Sequence, residues 1–93
     1  MTSFRIFETD EFTRCMKRLD STTRNRLEAT LKARVYPQLR KQPYFGGNIK
    51  RLRGYDPVTW RYRLGDYRLF YVVSEETKVV SIVSLENRKD AYR

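Results

Sequence analysis

The residues of this sequence best suited to chemistry are three arginines that a short hairpin brings onto one face. The stretch TWRYRLGDYRLFY, residues 59–71, reads as a strand, a Gly65-Asp66 turn and a second strand. A two-residue loop joins tight hairpins and fixes their pairing. Leu64 then faces Tyr67, Arg63 faces Arg68, Tyr62 faces Leu69 and Arg61 faces Phe70. Side chains alternate along a strand. One face therefore carries Trp60, Tyr62, Leu64, Tyr67, Leu69 and Tyr71, and the other Arg61, Arg63 and Arg68. Like charges directly opposite one another destabilise a sheet. A phosphate lying over Arg63 and Arg68 would remove that cost, because each guanidinium offers a planar fork of donors to phosphate oxygens. The alternative is a solvated face on which the guanidinium groups splay apart or pair with glutamate.

Other chemistries are excluded or weak. The chain has no histidine, which removes Ser-His-Asp and Cys-His arrangements. One cysteine and no histidine leave no ordinary zinc site. Gly46-Gly47 lacks the strand–turn–helix setting of a phosphate loop. The carboxylates are scattered, with no convincing pair for glycosidase or two-metal work. The C-terminal tail adds Arg88 and Tyr92. A phenol near several arginines loses its proton more easily, because positive charge favours the phenolate; equally, a tail tyrosine can simply pack on a sheet edge. Glu86, two residues before Arg88 on the same strand face, is a second possible base.

Twenty lysines and arginines face eleven acids, a net charge of +9. A field this positive favours a polyanionic partner, although it also serves solubility. Cys15 stands alone, which suits a reducing, cytoplasmic setting. No signal-peptide pattern and no apolar run of about 18 residues is present, so neither export nor a membrane is expected.

These side chains need a scaffold. FRIF, residues 4–7, reads as a strand, and Thr9 or Asp10 caps a helix carrying Phe12, Cys15, Met16 and Leu19. Asp20-Ser21 caps a second helix in which Leu27, Leu31, Val35 and Leu39 recur every four residues. Pro37 should kink or end it, and the short connection predicts an antiparallel helical hairpin. Residues 41–57 read as a crossover loop with a short extended stretch at 49–53. Strands follow at 59–64, 67–73 and 78–85. The order β-α-α-β-β-β predicts one α+β domain over residues 1–93, a helical hairpin packed on a twisted, mainly antiparallel sheet. The helices should cover the aromatic face of the hairpin, with Trp60, Tyr62, Leu64, Leu69 and Tyr71 beneath Phe12, Met16, Leu27, Leu31 and Val35.

The runs YRLGDYRLFYVV and VVSIVSLENRKDAYR, with KRLRG before them, resemble the RelE/ParE superfamily of toxin–antitoxin systems, and more closely its RelE branch. The resemblance implies the RelE-like fold just described. It implies a toxin that cleaves messenger RNA in the ribosomal A site, as an endoribonuclease needing no metal and no cofactor. It assigns Arg61, Arg63 and Arg68 to phosphate binding and charge stabilisation, Arg88 to the transition state, and Tyr92 to the general base or to stacking. Lys50, Arg51 and Arg53 of KRLRG join Arg61, Arg63 and Arg68 in the RNA-binding surface. Some relatives have lysines where this chain has Arg61 and Arg63. Arginine stays protonated, so the base role moves here toward Tyr92. The implied partners are the ribosome, its messenger RNA and a cognate antitoxin, small and with an acidic segment. Three other readings share this sequence: a ParE-like inhibitor of DNA gyrase, an RNA- or DNA-binding module that does not cut, and a degenerate toxin kept as an antitoxin-binding partner.

Overall fold

A computed structural model describes residues 3–87. Five strands form one sheet in the order β1-β5-β4-β3-β2. They are β1 (Arg5–Glu8), β2 (Ile49–Arg51), β3 (Trp60–Leu64), β4 (Tyr67–Ser74) and β5 (Val79–Asn87). Only the β1–β5 pair is parallel. Between β1 and β2 lie α1 (Asp10–Lys17), α2 (Ser21–Thr30), a π-helical turn (Leu31–Val35) and α3 (Tyr36–Lys41).

Local chemistry starts the helices where expected. Thr9 caps α1, its hydroxyl accepting from the Phe12 N–H at 3.2 Å. Asp20 caps α2 through the Thr23 N–H at 3.0 Å; the bonds from Thr23 also hold the Asp20 carboxyl below its usual range. Pro37 does not end the helix. It sits in the first turn of α3, directly after the π-helical turn. A proline ring clashes with the carbonyl four residues back and has no N–H to give it. A widened turn at that point relieves both problems.

The hairpin register is the expected one, with Arg63 paired to Arg68 and Tyr62 to Leu69. Tyr62, Leu64, Leu69 and Tyr71 are buried in one cluster with Phe12, Met16, Leu27, Leu31 and Val35. Trp60 is only half-buried, at the margin of that cluster, where its ring meets Tyr44 at 5.2 Å. Cys15 likewise packs at the margin. Three core-facing phenols find partners: Tyr36 donates to Glu8 at 2.6 Å, Tyr62 to Gln38 at 2.7 Å and Tyr71 to the Pro43 carbonyl at 2.6 Å. Among the described residues no buried polar side-chain atom lacks a partner.

Two features go beyond the sequence reading. The extended stretch before the hairpin is a true edge strand, with Lys50 paired to Arg61. And β5 carries a bulge. Phe70 pairs with Ser84 but Tyr71 pairs with Ile82, which leaves Val83 without a partner on β4. The bulge changes parity, so Val80 and Ile82 share the core with Leu85, three residues on. Thr9 pins it: its hydroxyl lies 2.8 Å from the Ile82 carbonyl and 3.1 Å from that of Val83.

Candidate nucleic-acid interface

The face of the sheet opposite the core is a grid of cross-strand pairs. One row runs Arg63, Arg68, Glu86 across β3, β4 and β5. The next runs Lys50, Arg61, Phe70, Ser84 across β2 to β5. Lys50, Arg61, Arg63, Arg68, Phe70 and Glu86, with Leu52 and Tyr55 from the β2–β3 loop, line a cleft of about 400 Å³.

Backbone geometry tightens the first row. The Arg63 N–H donates to the Asn48 carbonyl at 2.8 Å, so it points away from β4. Arg63 and Arg68 are therefore a non-hydrogen-bonded pair, the kind in which opposed side chains lie closest. The effect is felt at Arg61, which is half-buried. Burial lowers its guanidinium pKa, and Arg63 and Arg68 lower it further. It remains charged at neutral pH, since arginine titrates far above that range. Three arginines and Lys50 thus share one cleft, and any anion placed among them relieves their repulsion.

The predicted site residues divide. Arg61, Arg63, Arg68 and Lys50 come together, with Glu86 beside them. Arg51 and Arg53 do not join them. Arg51 pairs with Trp60, and alternation along β2 turns it to the other side of the sheet from Lys50. Both line a neighbouring cleft with Gly54 and Val58, which meets the arginine cleft only at Leu52 and Tyr55. Arg88 and Tyr92 lie outside the described residues. Two aromatic residues of the cleft were not singled out from the sequence. Phe70 follows from the hairpin register, being opposite Arg61. Tyr55 is placed by a loop, which no periodicity reveals.

The chain matches, over residues 6–92, the family described as the ParE toxin of type II toxin–antitoxin systems, parDE. The chain belongs to the RelE/ParE superfamily of type II toxins. Solved structures that it resembles include RelE toxins. The archaeal RelE of the RelE–RelB complex from Pyrococcus horikoshii is 24% identical, with a TM-score of 0.68 over 92% of this chain and 96% of that one. The RelBE2 toxin–antitoxin complex from Mycobacterium tuberculosis gives 22% identity and a TM-score of 0.71 over 95% and 94%. The isolated E. coli RelE toxin gives 25% identity and a TM-score of 0.65 over 91% and 84%. No curated protein matches the sequence. The RelE-like fold of this toxin is thus established by the match of its helices and five-stranded sheet to these relatives. No described helix is long and apolar enough to cross a membrane.

Proposed function

We propose that this RelE-like toxin is a ribosome-dependent endoribonuclease that cleaves messenger RNA in the A site without a metal ion. The observation that carries the reading is the convergence of Arg61, Arg63 and Arg68 on one cleft, with Glu86 in the same row as Arg68. RNA brings its own nucleophile, the 2′-hydroxyl next to the scissile phosphate. The protein must take a proton from it, stabilise the phosphorane charge and assist the leaving 5′-oxygen. Preorganised cations supply the second of these in a site that needs no rearrangement. Arg61, Arg63 and Arg68 take that role, with Arg88 at the leaving group. Two residues remain candidates for the base: Tyr92, and Glu86, whose carboxylate borders the arginine cleft.

The toxin would act in the cytoplasm, where its target is. It would be held in check by a cognate antitoxin, as the RelE relatives are by RelB in their complexes. The net charge of +9 favours an antitoxin with an acidic segment.

A second reading, inhibition of DNA gyrase, is favoured by the description of the matched family as ParE. Mapped cleavage of messenger RNA in a translating extract separates the two. Arg68→Ala, Arg88→Ala and Tyr92→Phe should each slow cleavage, the arginine changes by about 10²–10³. If all three variants arrest growth like the parent, the ribonuclease reading falls and the gyrase reading takes its place.

A further inference from the structure

The arginine cleft does not end at the arginines. A second cavity of about 240 Å³ is lined by Glu11, Tyr55, Thr59, Phe70, Val83, Ser84 and Glu86. It shares Tyr55, Phe70 and Glu86 with the first, so the two are one continuous groove. Its walls have a different chemistry. Tyr55, Phe70 and Glu86 border both chambers, but the first adds four cations, whereas the second adds the carboxylate of Glu11 and no cation.

We infer that Tyr55 and Phe70 form a nucleobase-stacking subsite beside the arginine cluster, with Glu11 and Glu86 favouring bases that carry an exocyclic amino group. The inference rests on the proposed handling of RNA in this groove. Phosphate belongs at the arginine end and is repelled from the carboxylate end, so the groove has a fixed polarity for a nucleotide. Aromatic faces accept any base, and stacking on them is tolerant of sequence. Carboxylates accept hydrogen bonds only, so they select bases with amino donors; cytosine has one at a position where uracil has a carbonyl.

The fold prepares this subsite. The β5 bulge brings both Val83 and Ser84 to the second chamber, and Thr9, one residue before α1, fixes the bulge. The β2–β3 loop is tied at its base, where the Leu52 N–H donates to the Thr59 carbonyl at 2.9 Å. Thr59 also donates its hydroxyl to the Pro57 carbonyl at 3.0 Å. Tyr55 lies on that loop with 54% of its surface exposed, a large aromatic side chain on the wall of the groove.

The test is binding, measured by fluorescence anisotropy on the full-length toxin freed of any antitoxin. The probes are short 2′-deoxy oligonucleotides, which lack the attacking hydroxyl, in oligo-C, oligo-U and fully abasic forms. Tyr55→Ala should weaken oligo-C binding about 5- to 150-fold and leave the abasic strand unchanged, while Tyr55→Trp retains affinity. Phe70→Leu, which keeps a large apolar side chain, should weaken oligo-C in the same selective way. The parent should prefer oligo-C to oligo-U, and Glu11→Gln should narrow that preference. Equal losses for oligo-C and the abasic strand, no loss for either, or a parent that binds no strand would each overturn the subsite. Equal affinity of the parent for oligo-C and oligo-U would overturn the role of the carboxylates. A parent that binds selectively but never cleaves messenger RNA would leave the subsite standing and sink the ribonuclease reading. A cleaving parent with an indifferent Tyr55→Ala variant would do the reverse.

Discussion

Replacing Arg63 with glutamine should make the free toxin more stable while making it a poorer binder of RNA. Arg63 is exposed, so its loss removes little packing. It stands directly opposite Arg68 in a non-hydrogen-bonded pair and two residues from Arg61 on the same face. Opposed side chains start about 5 Å apart at Cβ and same-face neighbours about 7 Å, and long guanidinium side chains that splay apart put its charge roughly 7 Å from each neighbour. Two unit charges at that distance in water repel by about 0.6 kcal/mol, so two neighbours give about 1.2 kcal/mol. Attraction to Glu86, one strand further along the row, offsets part of this. The net gain on removing Arg63 is about 0.5–1 kcal/mol at low salt. Salt discriminates this effect from any other. Screening over 7 Å leaves roughly four-fifths of the interaction at 0.01 M and about a tenth at 1 M. Urea unfolding of parent and Arg63→Gln at both salt concentrations provides the measurement. The midpoint should rise at 0.01 M with an unchanged slope, and the difference should nearly vanish at 1 M. A variant no more stable than the parent at low salt, or a gain that persists at 1 M, would refute the reasoning.

Two further outcomes follow from the core. Burial raises the phenol pKa of Tyr36 and of Tyr71 well above the ordinary 10.0, with the Glu8 carboxylate adding to the effect at Tyr36. Their neutral forms are favoured in the folded state, so the stability they provide is complete below pH 10 and is lost as pH rises beyond it. Two such groups give a slope approaching about 2.7 kcal/mol per pH unit above 10; a flat urea midpoint between pH 9 and 11.5 would contradict this. Tyr44, pushed up to about 12 by burial and by its bond to Glu75, should be seen ionising late in an ultraviolet titration of the folded toxin. Thr9→Val keeps the shape of the side chain but removes both the α1 cap and the bonds to the bulge. It should cost about 1–3 kcal/mol in chemical unfolding, and Thr9→Ser should restore most of it.

Much of the architecture was legible because local rules fixed it. The two-residue Gly65-Asp66 turn set the hairpin register without ambiguity, and with it the faces of nine side chains. Thr9 or Asp10, and Asp20-Ser21, marked two helix starts in the sequence, and Thr9 and Asp20 are the residues that cap them. What escaped depended on partners distant in sequence. The strand at Ile49–Arg51 has only three residues and is defined by β3 beside it, so Arg51 could not be separated from Lys50 by inspection of KRLRG alone. The β5 bulge did leave a trace. Val80, Ile82 and Leu85 break strict alternation, and an extra residue between Ile82 and Leu85 is the simplest way to bury all three. Pro37 was a sound signal of disruption, but tertiary packing of Val35, Tyr36 and Leu39 kept the chain helical and confined the disruption to one widened turn. Tyr55 left no trace, since a loop places it.

The same alternation that builds the core also assembles the cation cluster, and this couples folding to the proposed chemistry. Tyr62, Leu64, Leu69 and Tyr71 can be buried only if Arg61, Arg63 and Arg68 are turned outward together. A slip of one residue in the β3–β4 register would drive the arginines into the helices and expose the aromatic face. Burying even one unpaired guanidinium is far more costly than the repulsion among three solvated ones. The like-charge row is therefore held in place by the core on its reverse side, and it reinforces the register rather than opposing it. Its repulsion is tolerated at the solvent face, where screening keeps it small. There it leaves Arg63, the exposed arginine of the three, with an electrostatic demand for an anion that Glu86, one strand further along the row, offsets only in part among the described residues.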